Sequence, residues 1–191
     1  MHSKLILFLA ALALSLPAGA QVQPSAQRSG GRLSIGGGVD YWRGDWSQIK
    51  RFGPSAWATA EFWHGLGVIA EGHSMMAGGN PSEHPDQYKY FSGEGGLIYT
   101  YHRWHNVEPF VKGEIGFSSL SFPHRANATY THDTRTTWSY GGGFEYKLWK
   151  HVWAHADYTY DNFPNFYSVV TGQHRTLDPA GFTVGASYHF R

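Results

Sequence analysis

The 191-residue chain contains no cysteine, so neither a disulfide frame nor a thiolate metal site is open to it. Charge is also scarce. Acidic and basic residues make up 15% of the chain and the formal net charge is +1, which leaves no broad basic bias toward nucleic acid. Long apolar runs are missing past the N-terminus, where no stretch approaches the ~20 residues of a spanning helix, and mean hydropathy is −0.40. The one apolar run, Leu5 to Leu16, follows Lys4 and leads into Pro17-Ala18-Gly19-Ala20, an Ala-x-Ala cleavage pattern. That run is too short for an anchor helix, and no cysteine follows it to carry a lipid. Residues 1–20 therefore read as a signal peptide for export. About 170 residues follow from Gln21, enough for one domain. The stretch 21–31 (QVQPSAQRSGG) is expected to be a flexible polar lead-in.

What is abundant is aromatic residues, at 17%, and glycine, with 24 copies. They fall into a pattern of period two. In the last strand Phe182, Val184, Ala186, Tyr188 and Phe190 share one face, while Gly181, Thr183, Gly185, Ser187 and His189 share the other. Similar alternation recurs over 32–42, 55–63, 66–74, 88–101, 107–119, 134–148 and 151–161, making about eight segments. A strand of ~10 residues crosses a bilayer only within a closed barrel, because an open edge would leave peptide groups unpaired in hydrocarbon. The fold expected is an all-β, eight-stranded antiparallel up-and-down transmembrane β-barrel over residues 32–191.

The connections support this. Gly44–Pro54, Met75–Gln87, Leu120–Asp133 and Asn162–Pro179 are long, whereas His64-Gly65, His102–Asn106 and Trp149-Lys150 are short. Short periplasmic turns and longer outer loops produce this rhythm. Two aromatic girdles are also expected. One near the short turns holds Phe62, Trp63, Tyr101, Trp104, Trp149, Trp153, Tyr188 and Phe190. The other, near the long loops, holds Tyr41, Trp42, Tyr88, Tyr90, Phe117, Phe122, Tyr160 and Phe163. A soluble barrel would turn its apolar face inward. The polar faces here are rich in Gly, Ser and Thr with spaced charges, which suits a narrow lumen better than a solvated surface.

Thr183-Val-Gly185-Ala-Ser-Tyr188-His-Phe190 reads polar-x-Gly-x-x-aromatic-x-aromatic. It resembles the C-terminal assembly signal of outer-membrane barrels, carried by Thr183, Gly185, Tyr188 and Phe190, although Arg191 follows the last aromatic. With Pro109-Phe110-Val111-Lys112-Gly113-Glu114-Ile115-Gly116-Phe117, it makes residues 31–191 similar to the OmpA-type small outer-membrane β-barrels of the Gram-negative cell envelope. That resemblance implies outer-membrane location, contact with outer-membrane lipid and lipopolysaccharide, handling by periplasmic chaperones and the barrel-assembly machinery, and a monomer. It implies no cofactor and no nucleic-acid partner, and it leaves the activity open, because fold does not fix function.

The inward faces are expected to carry Arg32, Asp40, Glu61, Glu71, Glu94, Lys112, Glu114, Glu145, Lys147 and Asp157. Counting from the short turns puts Glu94 and Lys112 at similar depth on neighbouring strands, so they are expected to pair. The network reads as a structural plug, since buried charges need partners and a small barrel is filled by side chains. A narrow cation-preferring pore is the alternative. The twelve histidines form no tight metal motif. His84, His102, His105, His124, His132, His151 and His174 look isolated in loops or turns, and no metal site is expected. His73 and His155 are expected to point inward beside Glu71 and Asp157. Some small barrels are lipid A-modifying enzymes whose base and nucleophile follow a His-x-Ser pattern. Here His73 and Ser74 are adjacent and so face opposite ways, and no catalytic set is expected. The role expected is structural or surface-binding through the outer loops.

Overall fold

A computed structural model describes residues 31–43, 50–77, 89–121, 132–168 and 173–190. The expected signal peptide, most of the expected polar lead-in, Tyr88, Phe122, His84 and His124 lie outside the described residues. Nine strands follow in chain order: β1 (Arg32–Arg43), β2 (Lys50–Trp63), β3 (Leu66–Ala77), β4 (Lys89–Thr100), β5 (Val107–Ser121), β6 (His132–Lys147), β7 (Val152–Ser168), β8 (Gln173–Leu177) and β9 (Ala180–Phe190). No helix occurs among the described residues.

Eight of these strands close a ring. Each of β1 to β6 pairs antiparallel with its successor, β6 pairs with β7, β7 with β9, and β9 returns to β1. Among the described residues strand β8 pairs only with the far end of β7 (Phe163↔Leu177, Ser168↔Gln173). It continues the line of β9 past Asp178 and Pro179, so the connection expected to be a plain loop is partly a strand extension. Several strands likewise outrun the alternating segments read from sequence, with β2 starting at Lys50 rather than Ser55 and β7 ending at Ser168 rather than Asp161.

The register fixes the geometry. Following partners from Leu33 through Ala60, Val68, Leu97, Gly113, Tyr140, Tyr160 and Ala180 returns to β1 at Arg43, a stagger of ten residues. Such a stagger requires strands tilted by about 35–45°. It also means that residues at one height are not found by counting equally along each strand.

Alternation sorts the side chains as the sequence indicates. Val111, Ile115, Leu97, Phe182 and Val184 are exposed, while Asp40, Ser92, Thr137 and Asp161 are fully buried. Apolar groups outside and polar groups inside are the reverse of a soluble barrel. The His64-Gly65 turn has φ of 44° and 92° at its two residues, the paired positive values of the tight hairpin that matches strand twist. Gly65 N–H donates to Glu61 Oε1 at 2.9 Å, tying the turn to the lumen.

The girdles hold in part. Phe62, Trp63, Trp104, Trp149, Tyr188, Phe190, Tyr41 and Phe117 are exposed. Trp42, Tyr90, Trp153 and Phe163 are instead buried inside the barrel. Neighbours in a strand face opposite ways, so once Tyr41 faces outward Trp42 must turn in. Trp42, Met75, Tyr90, Leu120 and Phe163 form an apolar cluster within the lumen toward the long-connection end. Lower down, the buried Trp57 indole lies across Gly36, where an added Cβ would come within 2.2 Å of the ring. Gly36→Ala is expected to destabilise the barrel by about 1–3 kcal/mol through overpacking. Urea unfolding in lipid vesicles, followed by tryptophan emission, measures it.

Candidate functional site

The lumen gathers nearly every ionisable group expected there, in a connected arrangement to which the strands β1, β2, β3, β5, β6, β7 and β9 contribute. At mid-height Asp40 accepts from Thr183 Oγ1 at 2.9 Å and faces His73 Nδ1 at 2.8 Å. His73 Nε2 lies 3.3 Å from Glu71. Lys112 Nζ binds Glu71 at 2.5 Å, with Asp157 at 3.5 Å and Glu114 at 3.6 Å. Asp157 meets His155 Nε2 at 2.8 Å, and His155 Nδ1 lies 3.4 Å from Glu145. His73 and His155 therefore each stand between two carboxylates, and each can donate to both only with a proton on both nitrogens.

The chain continues to the short-turn mouth. Glu145 meets His189 Nε2 at 2.9 Å and accepts from Ser187 Oγ at 2.6 Å. Arg32 reaches His189 Nδ1 at 2.6 Å and grips both oxygens of Glu108 at 3.0 and 2.8 Å. His102 Nδ1 lies 2.9 Å from the same guanidinium and 3.3 Å from Glu108, and its Nε2 meets Glu61 at 2.7 Å. Hydrogen bonds to Glu108 and then to Glu61 push the His102 imidazole up to about 9, against the partial burial that lowers it. Glu108 thus sits between two cations. Trp153 supports the cluster, stacking on His189 with ring centroids 5.0 Å apart and lying under Arg32 at 5.6 Å. A cavity of about 20 Å³ borders Arg32, Glu61, His102, Glu108, Glu145 and His189, room for roughly one water.

Above the ion pairs the lumen is acidic. Ser139 Oγ donates to Glu94 at 2.5 Å, and Tyr90 donates to Asp161 at 3.1 Å. Both oxygens of Glu114 lack a hydrogen-bond donor, and the Lys112 ammonium lies 3.6 Å away.

Two expectations are corrected here. Glu94 and Lys112 do not pair. Lys112 stands opposite Ile98, and Glu94 opposite Gly116, four residues higher. The turn is lopsided: Thr100 pairs with Phe110, while β5 begins three residues earlier at Val107, paired only to β6. Lys147 has inward parity but is exposed at the mouth, its Nζ 5.8 Å from the Trp153 ring. His102, which looks isolated along the chain, is central to the mouth. His151 is held by the backbone oxygen of His189 at 3.0 Å. His73 and His155 face inward as expected. Glu108, Asp161 and His189 join the network without having been singled out, although Glu108 shares the parity of Lys112, Asp161 that of Asp157, and His189 that of Thr183.

Comparison with known proteins places this arrangement. The sequence pattern of the outer membrane protein beta-barrel domain matches residues 6–190. The chain belongs to that family. No curated protein matches it in sequence. Among solved structures, this outer-membrane barrel is similar to Neisserial surface protein A, with a TM-score of 0.64, 15% identity, and 85% of this chain and 98% of that one covered. It is also similar to the attachment invasion locus protein Ail of Yersinia pestis, solved with the heparin analogue sucrose octasulfate, with a TM-score of 0.52, 18% identity, and coverage of 84% and 97%. The outer membrane protein AlkL in lipid bilayers gives a TM-score of 0.50, 14% identity, and coverage of 84% and 90%. At such identities the likeness is one of fold.

Proposed function

We propose that this outer-membrane barrel is a non-conducting structural element of the envelope, its lumen plugged by charge pairs and aromatic side chains. Its short turns face the periplasm and its long connections face outward, free to meet surface partners. The observation that supports the plug is the unbroken series of contacts from Thr183 through Asp40, His73, Glu71, Lys112, Asp157, His155, Glu145, His189, Arg32, Glu108 and His102 to Glu61. An ion would have to displace these partners from one another, and inward-facing Trp42, Trp57 and Trp153 narrow the same space. In planar bilayers the purified protein is expected to give no stable current steps. Cation-selective steps that vanish on Glu94→Gln or Glu114→Gln replacement would establish the pore reading instead.

A lipid-modifying activity finds little support in the lumen. Ser187 and His189 lie 3.0 Å apart, but Ser187 Oγ also donates directly to Glu145 and His189 Nδ1 faces a guanidinium. A nucleophile activated by histidine needs a carboxylate, not a cation, behind the ring.

A further inference from the structure

One arc of the short-turn rim carries exposed cations and indoles with no exposed carboxylate beside them. The connection from β4 to β5 contains Arg103-Trp104-His105-Asn106, and that from β6 to β7 contains Leu148-Trp149-Lys150. The two lie side by side, because Lys147 N–H donates to the backbone oxygen of Asn106 at 2.9 Å. Arg103, Lys147, Lys150, Trp104 and Trp149 are all exposed there. Among the described residues none of these three cations forms a salt bridge. The carboxylates nearest along the chain, Glu108 and Glu145, turn into the mouth, where Arg32 and His189 engage them. Glu61, on the adjoining hairpin, is likewise held by His102. The long-connection end differs, since there Arg135 meets Asp133 at 3.0 Å.

We propose that this arc binds the headgroup of an anionic phospholipid in the leaflet facing the short turns, with Arg103 and Lys150 as the principal contacts. Exposed indoles of a membrane protein settle at headgroup level. Trp104 adjoins Arg103 and Trp149 adjoins Lys150 in the chain, so the same depth is set for both charges. A soluble polyanion would need the cations but not the indoles. Trp104 also stands edge-on to Tyr101, with ring centroids 6.0 Å apart, which gives the arc a fixed aromatic flank. A guanidinium can donate two parallel hydrogen bonds to a phosphate, and a lysine supplies a point charge beside it. Lys147 adds charge from the lumen side, its Nζ 5.8 Å from the Trp153 ring. A zwitterionic lipid also has a phosphate, but its own cation cancels the attraction, so the arc selects for net negative charge. The choice of a phospholipid over lipopolysaccharide rests on the orientation proposed above, with the short turns toward the periplasm. It does not depend on the plug.

Quenching of tryptophan emission by brominated lipid tests it. The folded protein is placed in phosphatidylcholine vesicles carrying a rising fraction of brominated phosphatidylglycerol, and the relative affinity for the two lipids is read from the emission. Insertion of each variant is checked by heat-modifiable gel mobility. The wild type is expected to prefer phosphatidylglycerol by about fivefold or more, the contribution of roughly one basic residue at an anionic surface. Arg103→Gln with Lys150→Gln should abolish most of that preference. Arg43→Gln with Lys89→Gln removes the same charge at the long-connection end and should leave it nearly unchanged. Glycerol phosphate added in excess should not reverse the quenching. The absence of a preference in the wild type, equal losses in the two double variants, or reversal by glycerol phosphate would each overturn the assignment. Should Arg103→Gln with Lys150→Gln not insert, Lys150→Gln alone is judged, and an undiminished preference overturns it. Orientation is read separately, from labelling of Asn106→Cys by a membrane-impermeant maleimide, expected only after the outer membrane is permeabilised. Labelling in intact cells would overturn the orientation, and with it the leaflet assigned here, whatever the vesicles show.

Discussion

Replacing Lys112 with methionine is expected to destabilise the barrel by about 3–5 kcal/mol, the usual result of stripping one partner from a buried ion cluster. Lys112 is buried and faces Glu71, Glu114 and Asp157 together. Methionine has nearly the same length, so the loss is of charge rather than volume. Glu71 is hit hardest, since it makes the closest contact with the Lys112 ammonium. Urea unfolding in lipid vesicles should show the midpoint falling. Adding Glu71→Gln to Lys112→Met should recover part of the loss, because two residues sharing one contact do not act additively. A Lys112→Met protein as stable as wild type would mean the lumen charges are solvated, and the plug reading would fall with that result.

The second large effect concerns the opposite face of the same strand. Ile115 is 64% exposed and lies one residue from the buried Glu114. Ile115→Arg should destabilise the inserted barrel by about 2–4 kcal/mol, the range for a cation near the bilayer midplane. On a water-facing strand the same change would be worth within about 0.5 kcal/mol. The comparison is best made with Ser119→Arg, nearer the strand end, where the depth dependence predicts a smaller loss. Equal and negligible losses at both positions would contradict a lipid-facing outer wall.

Depth explains why the charge network was only partly legible along the chain. Parity along β5 is enough to place Glu108, Lys112 and Glu114 on one face and Val111 and Ile115 on the other. Parity says nothing of height. The partner of Lys112 is Glu71, two strands away, because the ten-residue stagger and the lopsided turn before Val107 lift Glu94 out of reach. The aromatic belts depart from expectation in part, for the opposite reason. Trp42, Tyr90, Trp153 and Phe163 sit near strand ends, where girdle residues belong, yet parity turns them inward. A position near a strand end suits a girdle only when the side chain also has outward parity. His102 is the sharpest case: it lies in a turn, with no alternation to assign it, and only closure of the ring brings β1, β2, β5 and β9 around it.

The sequence by itself determined the barrel, the strand count of its wall, the sorting of short and long connections, and which face of each strand is greasy. Those are local properties, set by period-two alternation and by turn residues such as His64-Gly65. Tertiary structure alone decided who meets whom inside. Lateral pairing between strands far apart in sequence depends on stagger and closure, which accumulate around the whole ring. No single segment carries that information, so the mouth formed by Arg32, Glu61, His102, Glu108, Glu145 and His189 exists only once β9 has closed on β1.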